Sequence, residues 1–223
     1  IYRNENGVGK GCTLSGRPRS EIYHTNKNWN DEQGYDTTLK AFDDTLKRLG
    51  TDYLDLFLIH WPKDKNEESW KALEKLYKDG RVKSIGVSNF KEHHLDDLLT
   101  EAEIVPMINQ VELHPQFPQE EIRKYCKEKG IVVEAWASLM QGQIFDKEKV
   151  KRIAEKHGKT ISQIGIRWAV QIGVVTIPKS THTQRIKDNL NVFDFELDNE
   201  DMIKMAELNT GVRIGKDPDK IDF

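Results

Sequence analysis

His60 ends a nearly unbroken apolar run, Leu54-Asp55-Leu56-Phe57-Leu58-Ile59. A histidine so placed has three roles open to it: metal ligand, packed core side chain or catalytic group. Metal binding needs partners at ligand spacing, and no H-x-H pattern provides them. His93-His94 reads as a helix-surface pair whose side chains diverge into solvent, and His114, just ahead of Pro115, as a structural loop residue. Gly7-Val8-Gly9-Lys10-Gly11 invites comparison with phosphate-binding loops and fails it. Its spacing is not that of the dinucleotide fingerprint, and as a P-loop it lacks the first glycine and the Ser/Thr after the lysine. A helix ending in glycines accounts for it better.

His60 shares its position with others. Short apolar runs end in Lys27, His60, Ser88-Asn89, Gln110, Trp136-Ala137-Ser138 and Lys179-Ser180. The elements that must hold these residues recur as a strand, a turn and an amphipathic helix. Strands are predicted over 21–27, 53–60, 82–87, 105–111, 132–137 and 174–177. Helices are predicted over 37–49, 67–78, 91–102, 119–129, 147–157, 162–171, 183–191 and 199–208. Apolar runs of this kind are strands buried on both faces, and intervening helices force parallel crossovers. The class is α/β, with two solutions: a doubly wound sheet, or a barrel short of two strands. Polar ends on one or two strands would be ordinary turn chemistry. On all six they imply one shared site at the C-terminal ends of the strands, as in a (β/α)₈ TIM barrel. The expectation is such a barrel lacking its first two strands, with residues 1–223 forming a single domain.

Composition narrows the partners. The 223 residues are 37% hydrophobic and 32% charged with a net charge of −3, enough for one sizeable core. Charges of both signs are mixed, so nucleic acid is not an expected partner, and no apolar run approaches the roughly 20 residues of a membrane span. The two cysteines, Cys12 and Cys126, are far apart and in no metal-ligand spacing, which fits a reducing, cytoplasmic setting. The chain begins Ile1-Tyr2-Arg3 without methionine, so the natural start is expected to lie upstream.

Four segments in order and in register carry a resemblance: Leu58-Ile59-His60-Trp61-Pro62, Gly86-Val87-Ser88-Asn89-Phe90, Asn109-Gln110-Val111-Glu112-Leu113-His114-Pro115 and Ile177-Pro178-Lys179-Ser180. Together they make the sequence similar to the aldo-keto reductase family over its whole length, most of all to bacterial members that reduce small aldehydes and diketo compounds. The resemblance implies an NADPH-dependent, monomeric oxidoreductase acting on a small carbonyl substrate, with no metal. It implies Tyr2 as the acid that protonates the carbonyl oxygen, Lys27 as the cation that lowers the tyrosine's pKa, and His60 as the group that orients the carbonyl. Trp29 and Trp61 would wall the substrate pocket. The family's aspartate partner for the lysine falls ahead of Ile1. Little activity is therefore expected of the chain without a preceding segment. The alternatives are an inactive fragment and a non-catalytic, cofactor-binding or structural member of the same fold, the latter opposed by the presence of Tyr2, Lys27 and His60.

The resemblance also implies a cofactor site. Ser88, Asn89 and Gln110 would clamp the nicotinamide carboxamide, and Trp136 would stack on the ring. The family's Ser-Pro-Leu after that aromatic is here Ala137-Ser138-Leu139, which leaves Ser138 and Leu139 as the candidates on that loop. Lys179, Ser180 and Arg185 would grip the 2′-phosphate, two cations and a hydroxyl suiting a dianion. Asp188 and Asn189 would meet the adenine. The segment His24-Thr25-Asn26-Lys27-Asn28 departs from the family's more apolar pattern. Its polar side chains imply either a hydrogen-bonded network around Lys27 or a loosely packed strand.

Overall fold

The computed structural model of the chain describes residues 2–221. Six strands alternate with helices, and the sheet order is β1-β2-β3-β4-β5-β6, each strand beside its neighbour in sequence. The strands are β1 (Thr25–Asn28), β2 (Leu56–Ile59), β3 (Ile85–Ser88), β4 (Ile108–Glu112), β5 (Val132–Trp136) and β6 (Val175–Thr176). The helices are α1 (Glu5–Leu14), α2 (Tyr35–Leu49), α3 (Asn66–Lys78), α4 (Glu92–Leu99), α5 (Glu120–Glu128), α6 (Glu148–His157), α7 (Ile161–Gln171), α8 (Thr183–Leu190) and α9 (Asn199–Ala206). The described residues form two compact units, one of 2–109 with Lys129–Ile131, the other of Gln110–Glu128 with 132–221.

In the N-terminal unit β1, β2 and β3 are parallel, with Lys27 opposite Leu58 and Ile59 opposite Val87. All four residues of β2 are buried, as a strand covered on both faces requires. Helix α2 shows why the sequence folds this way. Thr38, Ala41, Phe42, Thr45, Leu46 and Leu49 recur at helical spacing and form its buried face. Phe42 meets Phe57 of β2 edge-on at 5.2 Å, and burying a ring of that size is worth about 1.5–3 kcal/mol. Gly50, at φ 67°, ends the helix, its amide donating to the Leu46 carbonyl at 2.9 Å.

In the C-terminal unit β5 and β6 are parallel, Ala135 opposite Thr176. Ile144, Val150, Ile153, Ile164 and Trp168 are buried in this unit. Helix α7 opens with a reciprocal cap: Thr160 accepts from the Gln163 amide, and the Gln163 side chain accepts from the Thr160 amide at 2.9 Å.

Three expectations change. The glycines at 7, 9 and 11 do not end a helix; α1 runs through them, because a Cβ on Gly9 would lie 2.1 Å from the Leu49 carbonyl oxygen, so the helix can sit against the end of α2 only with glycine there. His93 and His94 do not diverge: their rings lie 4.0 Å apart, and His94 Nδ1 accepts from the Lys91 amide at the start of α4. β1 begins at Thr25 rather than 21, since a turn of 3₁₀ helix over Arg19–Glu21 precedes it and Asp55 takes the His24 amide.

Candidate active site

The C-terminal ends of β1, β2 and β3 hold the N-terminal unit's group of chemically capable side chains. His60 follows β2 directly, its amide donating to the Asn28 carbonyl at 3.1 Å, and it is 8% exposed. Aromatic rings surround it: Trp29 edge-on at 4.9 Å, Trp61 stacked at 6.2 Å and Tyr2 at 6.2 Å. The Lys27 ammonium lies 5.6 Å from the centre of the Tyr2 ring. The structure thus brings together Tyr2, Lys27, Trp29, His60 and Trp61.

Their electrostatics separate the roles. Burial, reinforced by the charge of Lys27, pushes the His60 pKa down to about 3, so the imidazole is neutral at pH 7. Its buried Nδ1 has no hydrogen-bond partner among the described residues. A neutral imidazole can donate one N–H to a carbonyl oxygen but is a poor source of a proton. Tyr2 differs from expectation. Desolvation raises its pKa, although the side chain is 66% exposed overall, and Lys27 at this distance does not reverse the direction. The hydroxyl therefore holds its proton at neutral pH. Trp61 is buried rather than a wall open to solvent, its carbonyl accepting from Gln33 Nε2 at 2.8 Å.

Asn89, in the left-handed region at φ 65°, turns the chain after β3. Its amide donates to the His60 carbonyl at 2.9 Å and to Ser88 Oγ at 3.1 Å, tying the ends of two strands. The polar residues of β1 form a network. Asn26 donates to Glu5 at 2.7 Å, Glu5 is paired with Arg48, and buried Asn28 donates to Thr38 at 2.8 Å.

The C-terminal unit holds a cavity of about 330 Å³ lined by Ser138, Leu139, Lys179, Ser180, Arg185 and Asn189 among others. Six residues singled out from the sequence thus share one cavity. Lys179 and Arg185 have no ion-pair partner among the described residues, and Asp188 is engaged by Gln184 at 2.8 Å rather than by Arg185. Unpaired cations beside a hydroxyl suit an anion with several oxygens. Ser138 accepts from the Thr176 hydroxyl at 2.9 Å, which fixes the loop after β5 to β6. Trp136 is the last residue of β5. Gln110 lies mid-strand in β4 rather than at a strand end, and its side chain donates to Glu134 at 2.5 Å.

Sequence reasoning missed Gln141, Gly142, Phe145 and Ser162, which also line this cavity. The signal was the Met140-Gln141-Gly142 turn. Met140 and Gln141 take positive φ values of 56° and 51°, a backbone that side-chain-bearing residues adopt at a cost.

Among the described residues no helix is long and apolar enough to cross a membrane. The Aldo/keto reductase family profile matches residues 1–210. The chain is 57% identical over 224 residues to a glyoxal reductase of Bacillus subtilis, covering 100% of this chain and 81% of that protein. Among solved structures it is similar to MGS-M4, an aldo-keto reductase from a Medee basin deep-sea metagenome library. There the TM-score is 0.98 at 47% identity, covering 100% of this chain and 84% of that one. A mutant of Gox0644 in complex with NADPH superposes with a TM-score of 0.94 at 44% identity, covering 100% and 82%.

Proposed function

The chain belongs to the aldo/keto reductase family, and on that premise we propose that it reduces small aldehydes and dicarbonyls to alcohols with NADPH. The observation that carries this reading is the pair of cations, Lys179 and Arg185, without an ion-pair partner among the described residues and beside Ser180 in the cavity of the C-terminal unit. They fit the 2′-phosphate, with Asp188 and Asn189 toward the adenine and Ser138 and Leu139 along the cavity wall. Ser88, Asn89 and Gln110 serve the carboxamide, and Trp136 the ring face. When bound, NADPH supplies the hydride that adds to the carbonyl carbon.

The residues of the chain do the rest. His60, neutral at physiological pH, donates an N–H to the carbonyl oxygen, fixing its direction and drawing charge onto it. Tyr2, protonated at that pH, passes its hydroxyl proton to the same oxygen as the C–O double bond is lost. Lys27, the cation beside the Tyr2 ring, offsets in part the burial that raises the tyrosine's pKa without bringing it below its ordinary value. Trp29 flanks His60 with flat apolar surface suited to small substrates, and buried Trp61 stacks against the imidazole. Residues 1–223 make up most of one barrel domain, which acts as a monomer in the cytoplasm, where its two free cysteines stay reduced. The similarity to a glyoxal reductase makes glyoxal and methylglyoxal the first substrates to try.

Steady-state NADPH oxidation with these aldehydes tests the assignment. Tyr2→Phe keeps the ring and removes the proton, so turnover should fall by roughly a hundred- to ten-thousandfold. The pair is compared with a segment restored ahead of Ile1, since little turnover is expected without one, and equal turnover there would end the role of Tyr2 as acid.

A further inference from the structure

Glu112, the last residue of β4, is fully buried, yet no step above uses it. Its carboxylate reaches across 102 residues of sequence to the segment after α9. Oε1 accepts from the Ile214 amide at 2.5 Å, and the Gly215 amide lies 3.2 Å from Oε1 and 3.1 Å from Oε2. His114 Nε2 lies 3.0 Å from Oε1, and the Arg213 guanidinium 3.6 Å from Oε2. Burial pushes this carboxyl's pKa up, but the contacts from His114 and the two amides outweigh it and hold it below the usual range. The anchoring extends outward, with the Thr210 amide donating to the Gln116 carbonyl at 3.1 Å and Arg213 lying over the Phe117 ring at 4.6 Å.

What this anchor holds in place is a glycine against an indole. A Cβ on Gly215 would come within 2.4 Å of Trp136 Cη2 and 3.0 Å of Glu112 Oε2. The backbone at 215 therefore lies on the edge of the Trp136 ring, with room for nothing larger. All of these groups belong to the C-terminal unit.

We propose that Glu112 is a positioning residue: it latches segment 213–215 onto the edge of Trp136 and so fixes the plane that this indole offers to the nicotinamide. The proposal rests on the reading of Trp136 as the ring-stacking residue. Two substitutions disturb the latch from opposite sides. Glu112→Gln keeps the shape and removes the charge that draws in both amides and Arg213. Gly215→Ala leaves Glu112 intact and forces the segment off the ring.

The test uses the full chain labelled with 5-fluorotryptophan and observed by fluorine NMR, the Trp136 signal being identified by its loss in Trp136→Phe. Both latch variants should shift or broaden that signal and leave those of Trp29 and Trp61 in place. NADPH affinity should fall about two- to tenfold, the scale of one well-placed aromatic contact, while 2′,5′-ADP, which has the phosphate but no nicotinamide, binds within about twofold of wild type. A Trp136 signal unchanged in both variants overturns the latch. So does an equal loss of affinity for both ligands, which would reduce Glu112 to a folding role. If Trp136→Ala binds NADPH as wild type does, the stacking reading fails, and the NMR result still decides the latch.

Discussion

A buried imidazole held neutral beside a lysine ties the protein's chemistry to its stability. With the His60 pKa near 3 in the folded chain and 6.5 as its ordinary value, both states are neutral above about pH 6.5. Between those values the unfolded chain binds a proton that folded His60 refuses, so the unfolded state gains and stability falls as pH falls. The slope from this one group is roughly 1.4 kcal/mol per pH unit at its steepest. Urea denaturation at pH 7, 6 and 5 should therefore show a steeper loss for wild type than for His60→Gln. The variant, whatever its own stability, lacks that proton-linked part. Parallel curves would mean that His60 is not held neutral by its surroundings.

At the scale of elements, the glycines of α1 make opposite predictions from one helix. Alanine in a helix interior is worth about 1 kcal/mol over glycine. A Cβ on Gly11 meets nothing within 4 Å, so Gly11→Ala should raise the melting temperature. At Gly9 the Leu49 carbonyl is in the way, and the overpacking cost of about 1–3 kcal/mol outweighs the gain. Gly9→Ala should lower it, and calorimetry of the pair checks both signs. The difference shows what could be read from sequence. The order of strands and helices was legible because Leu56-Phe57-Leu58-Ile59 and the spacing of Phe42, Leu46 and Leu49 are local patterns with one physical solution each. The course of α1 was not, because what permits it is a carbonyl 40 residues away. The cavity residues Lys179, Ser180 and Arg185 were legible only through the family resemblance carried by Ile177-Pro178-Lys179-Ser180. Glu112 was visible in its motif, but its partners Ile214 and Gly215 contribute only backbone amides, which no side-chain pattern records.

Across the whole molecule the functional groups divide by unit. Tyr2, Lys27, His60, Ser88 and Asn89 belong to the N-terminal unit, and Gln110, Trp136, Lys179 and Arg185 to the C-terminal one. On the proposed assignment, proton handling and phosphate recognition are thus separable by mutation. Arg185→Ala should weaken NADPH and 2′,5′-ADP by roughly ten- to a hundredfold, the worth of one charge-assisted contact, and change NADH little. Tyr2→Phe should leave 2′,5′-ADP binding as it is. Calorimetric titration of the three ligands against both variants measures this, and an equal loss of NADPH and NADH affinity in Arg185→Ala would show that the guanidinium does not read the phosphate.

Helix α1 has one further consequence, for how the protein wears out. Three of its ten residues are glycines, and Gly9 is the only one of the ten that is buried. Intrinsic preference thus works against it by about 3 kcal/mol relative to alanine. Its order is borrowed from α2 and β1, through the Gly9 contact, the Glu5–Arg48 pair and the Asn26–Glu5 hydrogen bond. A segment so held opens before the rest of the chain does. Tyr2 stands three residues ahead of it, so on the proposed reading of Tyr2 the acid loses its place on warming while the sheet is still intact. Activity followed through a thermal ramp, with circular dichroism alongside, should then fall before the sheet unfolds.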